Sequence, residues 1–347
     1  MSWNDERVQQ FLFVLENSYN PEQDQESIVN RYHAFMEDPN SLACCLSILG
    51  SETVGEACIW SILRFLKRFP HKGKYFALLG QYSGINMCDR ICALFERAYA
   101  EFLKDRSELS KFKSEVLGEC IVCVCSGRER RQNDVVGMYA NCILELIEHD
   151  DPGIVVLGLE LGRQLVERWE KETICECEPL LRIFLADVLL GKAERYIVQD
   201  EWTDVYCSLF ETWHSVAHRF VDLYVNCNEM KIMKFANAVL GLMVMPLPAR
   251  VAQLVMCAAK FISKCFDAVD CEGKEDLLER LKQLFTPDRL IGICEASMTQ
   301  IPVVGMPFCR DLLSLFLRIL FKVFGLMISE NNFDLFFQFA AVILELT

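Results

Sequence analysis

The chain has 347 residues, enough for a large core or two domains, and 52% of them are apolar, so much of every element is expected to be buried. Its 49 acidic residues outweigh 35 basic ones, giving a net charge of -14, the wrong sign for a general nucleic-acid binder. The 18 cysteines fall mainly inside apolar runs (Cys44, Cys45, Cys58, Cys92, Cys142, Cys257) and the opening MSWNDERVQQ is polar, so the expectation is a reducing compartment with buried thiols rather than a disulfide framework.

The pattern is helical throughout. Residues 4–18 open with Asn4 or Asp5 as cap, and Val8, Phe11, Leu12 and Leu15 form an apolar face. The stretch 22–69 holds three helix-like segments, separated by Asp38-Pro39-Asn40 and by Gly50-Ser51-Glu52. In the first, Glu22, Asp24 and Glu26 favour a helix start after Pro21, and Ile28, Tyr32 and Phe35 share one face. Pro39 ends it. Ser41 is the expected cap of a short apolar helix over 42–49, closed by Gly50. Ser51 with Val54 opens the third, in which Ala57, Trp60, Leu63 and Phe65 are apolar and Arg64, Lys67 and Arg68 are not.

A basic connection follows, His71-Lys72-Gly73-Lys74, then a short helix over 75–79. The pattern predicts helices over 86–104 (Ile91, Leu94, Phe95, Ala98 and Phe102 inward), 108–125, 134–148, 154–171, 178–196 and 202–226, the last long enough to be kinked or split. Further helices are predicted over 229–245, 249–269, 276–285, 288–298, 307–328 and 332–346. Roughly fifteen helices of about 10–20 residues, or about seven or eight hairpins, suit the ~40–47-residue period of HEAT-like repeats. The expected fold is therefore all-α, a single helical-repeat solenoid (α-α superhelix) over 1–347. The segment 307–328 is very apolar, but Asp311, Ser314, Arg318 and Lys322 make a polar stripe that a lipid-facing helix would not carry, so no membrane insertion is expected.

Chemistry-bearing patterns are sparse. His214 and His218 lie four apart with Glu211 on the same side, but Ser215 stands where a zinc-protease helix has its glutamate, and a structural or surface pair is expected. Cys120, Cys123 and Cys125, with Cys175 and Cys177, read as buried thiols rather than a zinc knuckle. No phosphate-binding loop, dinucleotide fingerprint or nucleophile elbow occurs, so no cofactor, metal or catalytic residue is assigned and a non-enzyme is expected. Arg64, Lys67, Arg68, His71, Lys72 and Lys74 form the densest basic cluster, suited to an acidic patch on a partner; Arg128, Arg130 and Arg131 form a second. Trp60, Arg64, Lys67, Arg68 and Lys72 are the candidate partner-binding residues.

Residues 1–70 resemble the N-terminal region of the importin-β (karyopherin) superfamily of nuclear transport receptors. The resemblance rests on Leu15, Ser18 and Tyr19 before Pro21; on Ile28, Tyr32 and Phe35; on Asp38-Pro39-Asn40-Ser41-Leu42 leading to Leu46, Ile48 and Leu49; and on Ala57, Ile59, Leu63 and Arg64. The chain departs from that pattern at Gly55-Glu56, where the family often has an arginine before the alanine, and at Arg64-Phe65, where Lys-Asn is common. It reads as a divergent or truncated member. The resemblance implies a receptor in cytoplasm and nucleus that binds a Ran-type small GTPase in its GTP form, carries protein cargo with a basic segment, and touches nucleoporins. The alternative is a helical-repeat scaffold of a multiprotein complex with no GTPase dependence.

Overall fold

The computed structural model describes residues 5–18, 24–51, 54–70, 87–125, 133–168, 177–197, 199–226, 230–244, 248–269 and 274–325, with the single positions 22, 72, 74, 75, 175 and 341. Among the described residues no strand occurs, so the protein is all-α. The chain divides into two compact units, Met1–Ile143 and Leu144–Thr347. The expected helix over 332–346 and the basic triplet Arg128, Arg130 and Arg131 lie outside the described residues, as does nearly all of the short helix over 75–79.

The first unit contains α1 (Asp5–Asn17), α2 (Gln25–Glu37), α3 (Asn40–Leu49), α4 (Glu56–Arg68), α5 (Met87–Asp105) and α6 (Glu108–Cys125), and ends within α7 (Asn133–Glu148). Helix α1 packs on α2 and α4, α4 packs on α6, and α3 packs on α5. Three phenylalanines join α1, α2 and α4: the Phe11 ring meets Phe35 and Phe65 edge-on, each with centroids 5.0 Å apart. In α5 the expected face is the buried face, with Ile91, Leu94, Phe95, Ala98 and Phe102 all inward.

Local chemistry at the first helix ends differs from expectation in two places. Asp24 is the cap of α2, its carboxylate accepting from the Ser27 amide. The start of α3 lies at Asn40, where Asp38 accepts from the Asn40 backbone and side-chain amides, each at 2.9 Å. Ser41 is no cap: its buried hydroxyl donates to the Phe35 carbonyl at 2.7 Å, tying α3 back to α2. Helix α4 turns Ile62, Leu63, Phe65 and Leu66 inward, leaving Ala57 exposed and Trp60 half-buried, so its core face is rotated from the one read off the sequence.

The second unit contains α8 (Pro152–Arg168), α9 (Glu178–Leu185), α10 (Asp187–Tyr196), α11 (Asp200–Asn226), α12 (Lys231–Gly241) with a 3-10 turn (Leu242–Val244), α13 (Ala249–Val269), α14 (Glu275–Leu284), α15 (Pro287–Thr299), α16 (Ile301–Val304) and α17 (Met306–Phe324). Helix α13 is its centre. It is buried on most sides, from Val251 to Val269, and packs on α11, α12, α14 and α17. Its Phe261 touches Phe210, Trp213 and Tyr224 of α11. The Tyr224 hydroxyl also donates to the Trp213 carbonyl at 3.1 Å. Eleven residues of straight helix span about 16 Å, beyond a tyrosine's reach, so the long helix α11 turns sharply between those two residues.

The predicted helix 178–196 is two helices. Ala186 sits between them with φ 49, a left-handed conformation with no glycine to favour it. Donors from α11 bracket the break: the Trp213 indole donates to the Phe184 carbonyl at 2.8 Å and the Tyr206 hydroxyl to the Leu189 carbonyl at 3.0 Å. In α17 the polar stripe Asp311, Ser314, Arg318 and Lys322 is exposed, and Arg318 and Lys322 both reach Asp267 of α13. No helix among the described residues is long and apolar enough to cross a membrane.

Candidate functional site: the basic and aromatic edge of α4 and α6

The 3.6-residue period puts Trp60, Arg64 and Lys67 on one stripe of α4, rotated away from the buried Ile62, Leu63, Phe65 and Leu66. Where α4 meets α6, that stripe faces Phe112. The indole of Trp60 stacks on the Phe112 ring, centroids 5.1 Å apart and planes 25° from parallel. The Arg64 guanidinium carbon lies 5.7 Å from the Trp60 centroid, and Lys67 Nζ lies 5.3 Å from the Phe112 centroid. The result is a chain of four groups: cation, ring, ring, cation. Each such contact is worth about 0.5–1 kcal/mol at an exposed site. That energy restricts two long side chains that would otherwise sweep solvent, and both heads remain exposed.

Among the described residues, no carboxylate pairs with Arg64 or Lys67. Arg68 is exposed at the end of the same helix, and Lys74 is exposed beyond it. The fifth candidate, Lys72, stands apart. It is 9% exposed, donates to the Lys67 carbonyl at 2.8 Å, and lies 3.8 Å from a Glu119 oxygen on α6. Lys72 therefore closes the C-terminal end of α4, where a cation suits the helix dipole. His71 lies outside the described residues.

The same two helices bound a cleft of about 240 Å³, completed by the end of α3 and by α5. Leu49, Val54, Leu94 and Leu109 supply its apolar lining. Arg97 stands at its edge, and Lys113 crosses to Glu101 at 2.8 Å. Phe112 and this cleft were not foreseen. The signal for Phe112 was an aromatic residue set between Lys111 and Lys113, which a cation–π partner search would have found.

Among the described residues the other sequence candidates do not assemble into a site. No group of three or more histidine, cysteine or acidic residues among the described residues is placed to hold a metal ion. His214 is half-buried on α11, and burial, then Lys264 and Lys260, push its pKa below the ordinary histidine value. Cys120 is buried and Cys123 half-buried on α6, whereas Cys175 is exposed and so departs from the expected buried thiol. No protein-family model matches the chain, and no curated protein matches it either.

The geometry equips the α4–α6 edge for one kind of chemistry. An exposed guanidinium held near an indole face is free to bind a carboxylate through two parallel hydrogen bonds. The lysine adds a second positive centre. Together they suit an acidic protein surface or segment.

Proposed function

We propose that the chain is a non-enzymatic, helical-repeat interaction protein of the nuclear transport receptor type, and that the α4–α6 edge receives an acidic surface of its partner. The observation that carries this reading is the Arg64–Trp60–Phe112–Lys67 stack, whose two cations are exposed and, among the described residues, pair with no carboxylate. Within the first unit, α1 packs on α4 and α4 on α6 while α3 packs on α5; within the second, α8 packs on α11, α11 on α13 and α13 on α17. Most of these helices pack on neighbours two or three along the chain, as in a stacked helical array, which supports the solenoid reading. Together with the resemblance of residues 1–70, these features make a Ran-type GTPase in its GTP form the proposed partner, with basic cargo drawn to the acidic remainder of the surface and a life shared between cytoplasm and nucleus.

The test is a pull-down of the purified chain with the GTPase loaded with GTP or with GDP. Capture of the GTP form alone, weakening as salt rises, is the expected result. Failure of the folded chain to capture either form would overturn the receptor reading and favour a scaffold that holds its partners whatever the nucleotide.

A further inference from the structure

The cleft beside the α4–α6 edge is built on five aliphatic side chains: Leu49 of α3, Val54, Ile59 of α4, Leu94 of α5 and Leu109 of α6. At about 240 Å³ it falls short of the roughly 300 Å³ at which small-molecule pockets begin, and it suits a single inserted side chain. Four charged residues stand around it, and three of them are already engaged. Lys113 Nζ donates to a Glu101 carboxylate oxygen at 2.8 Å. Asp105 accepts from the Ser107 amide at 3.0 Å and from the Ser110 hydroxyl at 2.8 Å, bonds that hold its carboxyl below the ordinary aspartate value. Arg97 of α5 is the fourth. It is exposed, and among the described residues it forms no ion pair or hydrogen bond. A Cβ on Gly50 would lie 3.8 Å from its Nη2, so the guanidinium stands at the α3 end of the cleft with its donors unspent.

We infer that this cleft anchors an acidic peptide segment of a partner, one that inserts a single aliphatic side chain and sets its carboxylates on the cations around it. The inference rests on reading the α4–α6 edge as the acceptor of an acidic partner. Size and charge fix the occupant. An aliphatic side chain that leaves water for the leucine, isoleucine and valine walls supplies the hydrophobic part. Arg97 supplies the polar part, because a guanidinium with unspent donors takes a carboxylate through paired N–H bonds. A basic segment is disfavoured, since the unspent charge at the cleft is positive. The cleft is also continuous with the cation–ring stack. On α6, Phe112 lies one turn from Leu109 and next to Lys113; on α4, Trp60 follows Ile59. A segment anchored in the cleft therefore meets Arg97 of α5 and, one helical turn from Leu109, the Lys67 cation held over Phe112.

The experiment titrates the full chain into fluorescein-labelled peptides and reads anisotropy. The first peptide carries one leucine between two pairs of aspartates. In the second, glycine replaces the leucine; in the third, lysines replace the aspartates. The leucine–aspartate peptide is expected to bind at least about tenfold more tightly than either of the others, the gain over the glycine peptide being that of one buried aliphatic side chain. Arg97→Glu is expected to weaken its binding about tenfold. Arg97 is exposed and bonds to nothing among the described residues, so the variant keeps the fold, which far-UV circular dichroism checks. Equal affinity for the leucine and glycine peptides, equal affinity for the lysine peptide, no binding of any peptide, or a leucine preference that Arg97→Glu leaves unchanged would each overturn the anchor. Glycine-peptide binding that R64E/K67E abolishes, without a leucine preference, would remove the anchor and leave the acidic-partner reading standing, so the two failures are told apart.

Discussion

Arg64 and Lys72 belong to one basic run, yet the structure puts them to different uses. Arg64 lies over the Trp60 ring and is exposed, whereas Lys72 is turned inward between the Lys67 carbonyl and Glu119. Reversing the exposed charges, R64E with K67E, removes both cation–π contacts and is expected to cost about 1–2 kcal/mol of stability, which leaves the chain folded. Replacing Lys72 by methionine removes a buried donor and is expected to cost about 1 kcal/mol, read from the urea midpoint. Trp213 offers a second case. Trp213→Phe keeps an aromatic body but leaves the Phe184 carbonyl without its indole donor, an expected loss of about 1–3 kcal/mol in the same assay. His214 sets a pH dependence. Its pKa is depressed in the folded protein, so the unfolded chain binds the proton more readily. Stability is complete above the unfolded value of about 6.5 and falls as pH drops from there through the folded value. His214→Gln should flatten that acid limb in urea melts at successive pH values, and an unchanged limb would contradict the assignment.

At the level of the element, what could be read in advance followed from period and punctuation. Helix α6 spans the predicted residues, α13 does too, and the inward face of α5 is the predicted one, because apolar spacing and breaks such as Asp150-Asp151-Pro152-Gly153 are properties of the local chain. The break at Ala186 was invisible for the opposite reason: its cause is a tryptophan and a tyrosine on another helix, and neither glycine nor proline marks it. The rotated face of α4 belongs to the same class, since Trp60 left the core face to stack on Phe112, a residue of a helix well beyond it in the chain. Three of the four groups of the candidate site were therefore legible, its two cations and one ring, and the partner ring Phe112 was not. Close helix packing gives the prediction that belongs here. A Cβ on Gly158 of α8 would meet Leu146 Cβ at 2.8 Å and the Ile147 backbone nitrogen at 3.0 Å, both on α7. Gly158→Ala should cost about 1–3 kcal/mol through overpacking, measured as a lowered urea midpoint.

Over the whole molecule, an acidic chain with a net charge of -14 carries a local edge of the opposite sign, and that contrast directs the proposed function. Basic groups on an acidic background restrict which partners can dock, because an acidic partner is repelled everywhere except where the cations stand. The all-α architecture supplies rigid helices on which such an edge keeps its shape, and each of the two units has its own aromatic core. The most direct measurement is a calorimetric titration of the GTP-loaded Ran-type GTPase into the wild-type chain and into the R64E/K67E double variant, side by side. The account predicts binding by the wild type and at least about a tenfold loss in the variant, a difference of about 1.4 kcal/mol. Equal affinity for the two chains, with both folded, would contradict it.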